Sequence, residues 1–351
     1  MGQDSLAFHW VPRAASGCGN TRLTMNDKAL EKPIKDDRNG KPYYKSSTSA
    51  YKILDIEIEN GYSPYQVPWK QEGDIQLYHF RDLPQFLRNN PHIFYGYRAF
   101  LPFGLCLKSM FMWSNETINI WSHFLGCILF FLLMFYDNFV FIPSLKGSYI
   151  DHFMITVSLL CFQFCLLSSA GFHLFMCHSE KANSRWLQID LAGIIFGMIG
   201  CYVPGVHYAF YCFSIWRDIY FLTVLILSIG VLCMQLNPRF AATEWWNLRL
   251  LLYCSLVAYG LIPTTHWIYL NGGWSHTIVK MFLPKVVLMY LLELFAFFFY
   301  ISKCPERCLP GKVDFLGSSH QIWHVILVAG FFYWHQAGKE ILQYRINNQC
   351  V

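Results

Sequence analysis

The chain has 351 residues, of which 54% are hydrophobic, 18% aromatic and only 14% charged. A composition this apolar supplies too little charge to cover a soluble surface, so we predict a membrane protein. The formal net charge of +5 is spread over loops and the N-terminal third of the chain. Because no dense basic stripe is present, nucleic acid is excluded as an expected partner.

Residues 1–74 are rich in Lys, Asp, Ser, Gly, Asn and Pro and have no sustained hydrophobic period. They predict a cytosolic, largely disordered tail. Its irregularly spaced aromatic residues suit either a docking segment or an exposed tail without that role. In the next segment, 75–115, a capping Asp82 and a Pro84 in the first turn precede a short apolar pattern that ends at Arg88. This pattern predicts a short amphipathic helix on the membrane surface.

Seven apolar runs follow, each close to the length of about 20 residues that a helix needs to cross the hydrocarbon core. They lack the alternation of barrel strands, and backbone groups in lipid must be paired internally. We therefore predict an all-α fold, a bundle of seven transmembrane helices over residues 116–340. The runs lie near 117–137, 151–177, 187–211, 218–236, 249–270, 279–302 and 319–338.

Loop charges predict the orientation of this bundle. The loops after the second, fourth and sixth runs lie on one side of the membrane and are basic, with Lys181, Arg185, Arg239, Lys303, Arg307 and Lys312. The loops on the opposite side contain few basic residues beyond Lys146 and Arg217. Basic residues prefer cytoplasmic loops, so the N-terminus is expected in the cytosol and the C-terminal tail, 341–351, in a lumen or outside the cell. Rhodopsin-like receptors have the reverse orientation.

Ionisable groups inside membrane spans are costly and often functional, so we ask which of them converge. His173 lies near the end of the second run and Asp190 near the beginning of the third, and a short cytosolic loop joins them. His320 and His324 lie one helical turn apart near the cytosolic start of the seventh run. Residues at i and i+4 share a helix face, so both imidazoles can approach a neighbouring helix together.

Three imidazoles can ligate a tetrahedral zinc and leave its fourth position open, which is the arrangement of a catalytic site. We predict that His173, His320 and His324 bind the metal. Asp190 could bind it directly or act as a base on water. Ser169, four residues before His173, shares its helix face and could orient a ligand, although a serine within a helix often bonds its own backbone. Asp190 and Ser169 are thus the candidate catalytic residues.

Other polar residues have less specific patterns. Glu116, Asn119 and His123 have helical spacings and predict an interhelical hydrogen-bond ladder, with a ligand role as the alternative. His266 and Glu293 are candidates to line a cavity, or to pair with a carbonyl that a helix kink frees. Most of the 13 cysteines lie inside apolar runs, where a thiol behaves as a small hydrophobe. No disulfide framework is predicted.

Three motifs in this order resemble those of the progestin and adipoQ receptor family: Glu116-x-x-Asn119-x-x-x-His123, Ser169-x-x-x-His173 followed by Asp190, and His320-x-x-x-His324. The resemblance covers roughly residues 80–345. It implies that the family's zinc ligands are His173, His320 and His324, with Asp190 and Ser169 in supporting roles. Segments such as Gly96-Tyr97-Arg98-Ala99 are similar to a Golgi member of that family.

That similarity implies a multi-pass Golgi membrane protein whose cytosolic N-terminal region binds a Raf-type protein kinase and lowers signalling through the mitogen-activated kinase (MAPK/ERK) cascade. Two alternatives follow from the family as a whole. One is a zinc-dependent lipid amidase of the ceramidase type, with membrane lipid held inside the bundle. The other is a ligand receptor of the adiponectin or progestin receptor type. The sequence is compatible with an enzyme, namely a zinc-dependent hydrolase, and with a protein that catalyses no reaction.

Overall fold

The computed structural model describes residues 75–237, 245–348 and Cys350, together with the backbone of 68–72. The predictions for residues 1–67 and for Arg239 lie outside the described residues.

A small antiparallel sheet precedes the helices, which amends the all-α prediction. Its strands β1 (Pro68–Glu72), β2 (Ile75–Tyr78) and β3 (Tyr97–Arg98) are ordered β1-β2-β3, and Leu77 of β2 pairs with Arg98 of β3. Strand β1 falls inside the segment that was predicted as a disordered tail. The sheet forms because β2 buries Ile75, Leu77 and Tyr78 against the protein.

The surface helix predicted near residues 82–90 is wrong. Two single-turn 3-10 helices, Phe80–Asp82 and Gln85–Leu87, occupy this stretch. Leu83 between them is extended, with φ −82° and ψ 151°, because a residue before proline is kept out of the α region. Leu83 and Leu87 are buried in a cluster with Tyr78 and Tyr97, so they pack against protein instead of lipid.

An amphipathic segment does occur further along, in helix α1 (Phe103–Lys108) and the 3-10 turn Ser109–Phe111. Phe103, Leu107 and Phe111 are exposed, whereas Cys106 is completely buried. Their spacing of four residues places the exposed side chains on one side of the segment.

After α1, the longer helices among the described residues are α2 (Thr117–Tyr136), α3 (Tyr149–Phe175), α4 (Glu180–Ala209), α5 (Ser214–Leu236), α6 (Trp246–Tyr259), α7 (Leu261–Leu270), α8 (Thr277–Ser302) and α9 (Ser319–Asn347). The chain continues from α2 in helical turns to Ser144, and α6 and α7 form one segment. Within the described part of the chain, six segments are long and apolar enough to cross a membrane. The prediction of a multi-pass helical membrane protein is thus confirmed.

Helix α9 corresponds to the seventh predicted run, but it is more polar than the others. It contacts α2, α4 and α8, and it buries Gln321, His324 and His335. A helix surrounded by other helices can bury polar side chains if they find partners there. The polarity of α9 therefore reflects an interior position.

The C-terminal tail predicted from residue 341 is wrong for its first seven residues, because α9 continues to Asn347. Ile341 and Leu342 pack in the hydrophobic core. Arg345 donates to the carbonyl oxygens of Tyr208 and Ala209, each at 2.8 Å. These carbonyls belong to the last turn of α4 and lack partners within that helix. Arg345 thereby joins the end of α9 to the end of α4.

A disulfide that the sequence did not predict reinforces this junction. Cys212, just after α4, is bonded to Cys350, with the two Cα atoms 5.4 Å apart. Cys212 directly follows the third apolar run, Cys350 lies in the predicted C-terminal tail, and both are on the same predicted side of the membrane. Those two positions were the available signal.

Close packing of α4 on α3 depends on glycines at Gly193, Gly197 and Gly200. A Cβ atom built on Gly200 would lie 2.9 Å from both Cys161 and the ring of Phe162. This distance is too short for carbon atoms in contact, and the Phe162 ring is completely buried. The two backbones can therefore approach only because these side chains are absent.

We expect Gly200→Ala to destabilise the folded protein by about 1–3 kcal/mol, as overpacked cores do. Gly230→Ala in α5 is the matched control, because a Cβ there meets nothing within 4 Å. Its expected effect is neutral or stabilising, by up to about 1 kcal/mol, because alanine favours helix more than glycine. Thermal unfolding in detergent measures both, and equal unfolding temperatures for the two variants would contradict the packing argument.

Candidate metal centre

Helices α2, α3, α4 and α9 bring their polar residues together at one end of the bundle. His173 lies in the last turn of α3, and His320 and His324 lie in the first two turns of α9. Glu116 precedes α2, and Asp190 lies on α4. These residues lie together because a short connection joins α3 to α4 at this end of the bundle and α9 begins at the same end.

The three histidines converge on one point. His320 Nε2 lies 3.3 Å from His173 Nε2 and 3.2 Å from His324 Nε2. In the described part of the chain, they form a group in which each residue offers one ligand atom and all these atoms lie within 4.8 Å of one another. His173 and His324 are buried, and His320 is half-buried. The structure thus brings together the three residues that the sequence singled out as ligands.

Hydrogen bonds at the opposite ring nitrogens determine what these nitrogens can do. His173 Nδ1 lies 2.8 Å from the Glu116 carboxylate, and His324 Nδ1 lies 3.2 Å from the Asn119 carbonyl oxygen. A carboxylate and a carbonyl only accept, so both Nδ1 atoms carry hydrogen and both Nε2 atoms present lone pairs. His320 Nε2 lies within 3.3 Å of both of these atoms, so three imidazole nitrogens converge on a point where one cation could accept their lone pairs. The donor set therefore fits a metal such as zinc, which prefers imidazole nitrogen.

Glu116 and Asn119 support the histidines, and the ladder predicted for them is partly present. Asn119 Nδ2 donates to Glu116 at 2.6 Å, and the same carboxylate oxygen binds His173. His123 differs from the expectation, because its ring stacks on the His324 ring with centroids 3.8 Å apart. These contacts fix the orientation of two of the three imidazoles.

Arg98 was missed by the sequence reasoning. Its buried guanidinium donates to the His173 carbonyl oxygen at 2.6 Å and to the Ser109 hydroxyl at 2.5 Å. Strand β3 is thereby tied to the end of α3 directly at a histidine. The only available signal was the similarity of the Gly96-Tyr97-Arg98-Ala99 segment to a family member. The contact itself could not be predicted, because Arg98 and His173 are 75 positions apart in the sequence.

The two candidate catalytic residues contact each other beside the histidines. The Ser169 hydroxyl faces the Asp190 carboxylate. Ser169 is buried one turn before His173 on α3, and Asp190 is half-buried on α4. Asp190 does not belong to the group of converging ligand atoms. Its position therefore suits a base that acts next to the metal better than a direct ligand.

The remaining candidates lie apart from this group. His266 Nδ1 lies 2.8 Å from the Tyr220 hydroxyl, and its ring contacts Trp216 near the other end of the bundle. Glu293 on α8 faces α9, where a Cβ atom on Gly330 would lie 2.9 Å from its carboxylate. The structure does not bring either residue to the three histidines.

Glu116→Gln is expected to weaken zinc binding by about 10–100-fold, because a neutral amide orients and polarises the His173 ring less well than a carboxylate. Glu180→Gln is the control, since Glu180 is an exposed acid in the first turn of α4 at the same end of the bundle. Competition with a fluorescent zinc chelator measures the affinity. Equal affinities of the two variants would show that Glu116 does not support the ligand.

The fold and the site define a class of protein: a multi-pass helical membrane protein with three converging histidines at one end of its bundle. The sequence profile of the haemolysin-III-related family matches residues 111–335, which include all three histidines. The chain belongs to this family, and within it to the group of progestin and adipoQ receptors.

Individual relatives agree with this assignment. The chain is 49% identical to progestin and adipoQ receptor family member 3 of Mus musculus over 290 residues, which are 82% of this chain and 92% of the relative. The human protein of the same name is 48% identical over the same shares. An adiponectin receptor protein of Drosophila melanogaster is 32% identical over 276 residues, 78% of this chain and 62% of that protein.

Proposed function

We propose that this protein binds a zinc ion through His173, His320 and His324 and hydrolyses an amide bond of a membrane lipid. The observation that carries the proposal is the convergence of the three Nε2 atoms, two of them with lone pairs fixed by acceptors on the other ring nitrogen. The three histidines supply three of the four ligands of a tetrahedral zinc, and the Asp190–Ser169 pair lies beside them, which favours a catalytic metal over a closed structural one.

We further propose a bundle of seven spans, with α9 as the seventh and the histidines on the cytosolic side. The basic loops at the histidine end support this orientation. The Cys212–Cys350 disulfide supports it independently, because it lies at the opposite end of α4 and α9 from the histidines. Disulfides persist in oxidising compartments such as the secretory lumen and the cell exterior.

Each residue has a chemical role in the proposed hydrolysis. Zinc, when bound, would supply Lewis-acid polarisation of the amide carbonyl and make water easier to deprotonate. Asp190 accepts the proton from the attacking water and can return it to the amine that leaves. Ser169, which faces Asp190, can donate its hydroxyl to that carboxylate and orient it. Glu116 and the Asn119 carbonyl keep two imidazoles in the tautomer that binds metal.

The test is turnover by the purified protein in lipid nanodiscs with a panel of ceramides that differ in acyl length. Release of free fatty acid, measured by mass spectrometry, is the expected result. A preparation that contains stoichiometric zinc but releases no fatty acid from any member of the panel would reject the amidase and leave the zinc site standing.

The second candidate is retention of a Raf-type kinase at the Golgi, with a consequent decrease in MAPK/ERK signalling. Its support is the similarity to family member 3 over most of the chain, together with the long polar segment that precedes the sheet. Deleting residues 1–67 tests it while leaving β2 and the buried Leu83 and Leu87 in place. The kinase should leave the Golgi in cells that express the deletion, and a kinase that stays there would reject the tail as its docking region.

A further inference from the structure

Two buried thiols face each other between α1 and the end of α3. Cys106 on α1 and Cys177 just after α3 have their Sγ atoms 3.8 Å apart, and both residues are at most 2% exposed. The backbones around them are also joined, because the Leu101 N–H donates to the Cys177 carbonyl oxygen at 3.3 Å. The segment that leads into α1 is thus fastened to the end of α3 with the two sulfur atoms in contact.

The surroundings favour ionisation of one thiol. The hydrogen bond from the Cys106 thiol lowers the pKa of Cys177 to about 7, although burial opposes this shift, and the positive charge of Arg98 acts in the same direction. The same hydrogen bond and burial raise the pKa of Cys106. Arg98 is buried and donates to two neutral acceptors, the Ser109 hydroxyl and the His173 carbonyl. A nearby thiolate would therefore be stabilised by its charge.

We propose that Cys106 and Cys177 form an oxidation-sensitive dithiol, which hydrogen peroxide converts to a disulfide. The step needs the sulfur atoms to move from 3.8 Å to a bond of about 2.05 Å, a shift that rotation of the cysteine side chains can supply. The peroxide reaches the pair when α1 opens locally. Short helices with few buried contacts open easily, and α1 has six residues, of which Cys106 is the buried one.

The chemistry balances with peroxide as the oxidant. The Cys177 thiolate attacks one peroxide oxygen, the O–O bond breaks, and the departing hydroxide takes up a proton to become water. Cys177 is then a sulfenic acid. Cys106 attacks the Cys177 sulfur, the S–S bond forms, the S–O bond breaks, and the second hydroxide leaves as water with the Cys106 proton. The two thiols lose two electrons and two protons, and the peroxide is reduced to two molecules of water.

The consequence is a covalent link between α1 and the turn just after α3, four residues beyond His173. Oxidation would hold α1 against the end of α3, the helix that carries His173, and limit the motion of α1 there. The Cys212–Cys350 pair, at the other end, is already a disulfide. The two pairs would thus report the redox conditions on the two sides of the membrane.

The test uses the full chain in nanodiscs, treated with increasing hydrogen peroxide, blocked with N-ethylmaleimide and digested without reductant. Mass spectrometry should find a linked peptide pair containing Cys106 and Cys177 that separates with dithiothreitol. Cys106→Ser should abolish the link and leave a sulfenic acid on Cys177 that dimedone traps. Cys177→Ser should abolish both products. Cys304→Ser, which removes a half-buried thiol outside the pair, should leave the link unchanged.

The proposal is overturned if Cys304 in the wild-type protein is oxidised while Cys106 and Cys177 remain labelled by maleimide after unfolding. It is also overturned if dimedone fails to label Cys177 in the Cys106→Ser variant at a peroxide concentration that links the wild-type pair. Gel filtration identifies any serine variant that fails to fold. In that case the wild-type peptide map alone decides, since it requires no substitution.

Discussion

Alanine at both His320 and His324 is expected to reduce bound zinc from about one ion per chain to almost none. The two residues supply two of the three nitrogen ligands, and a single remaining imidazole does not retain a tetrahedral zinc. Metal analysis of the purified protein measures the ratio. His266→Ala is the matched control, because His266 bonds Tyr220 and does not belong to the converging group. Equal zinc content in both variants would reject the proposed ligands.

The same double variant separates a catalytic zinc from a structural one. A zinc that holds α3 and α9 together contributes its binding energy to folding, so its loss should lower the unfolding temperature and the amount of protein in cells. A catalytic zinc should be lost with little change in stability but with loss of ceramide turnover. If kinase retention at the Golgi survives this variant, the retention and the hydrolysis are separate activities.

Asp190→Asn is expected to keep the zinc but to reduce lipid turnover by about 10²–10⁴-fold, which is the usual contribution of a general base. Asparagine preserves the shape of the side chain and keeps an oxygen that faces Ser169, so the change removes the basic carboxylate and little else. Initial rates at saturating ceramide, together with metal analysis of the same sample, give both quantities. Asp218→Asn is the control, since the Asp218 side chain is 67% exposed and pairs with Arg217.

Two outcomes would contradict the role of Asp190. Unchanged turnover in Asp190→Asn would show that the proton goes to another group. Loss of zinc together with turnover would show that Asp190 is a ligand, which the sequence left open and which its position outside the converging group argues against.

Local spacing predicted much of the candidate site. The interval of four residues between His320 and His324 places both on one face of a helix, and the short loop after His173 brings α4 back beside α3. The apolar runs predicted most helices to within a few residues, since a membrane span needs a long apolar stretch. These features depend on residues close in sequence or on the thickness of the bilayer.

Contacts between distant residues were less predictable. The sheet, the bond from Arg98 to His173 and the Cys212–Cys350 disulfide each require the fold to be known, because nothing nearby in the sequence specifies the partner. The helix expected after Asp82 failed for a local reason that was available: Pro84 forces the residue before it to be extended. The end of α9 was not predicted, because the polar composition of its last residues is typical of a tail. These residues stay helical because Arg345 bonds the end of α4, a contact that the sequence does not specify.

Helix α9 is held at both ends by bonds that do not involve a metal. Gln321 donates to the Asn115 carbonyl oxygen at 3.2 Å near its start, and Arg345 and the disulfide of Cys350 attach its end to the α4 side. A helix attached in this way can neither slide along its axis nor turn about it freely. The histidines on it have therefore already lost most of their conformational entropy before a ligand arrives, so the ordering cost of binding is small and more of the intrinsic bond energy appears as affinity.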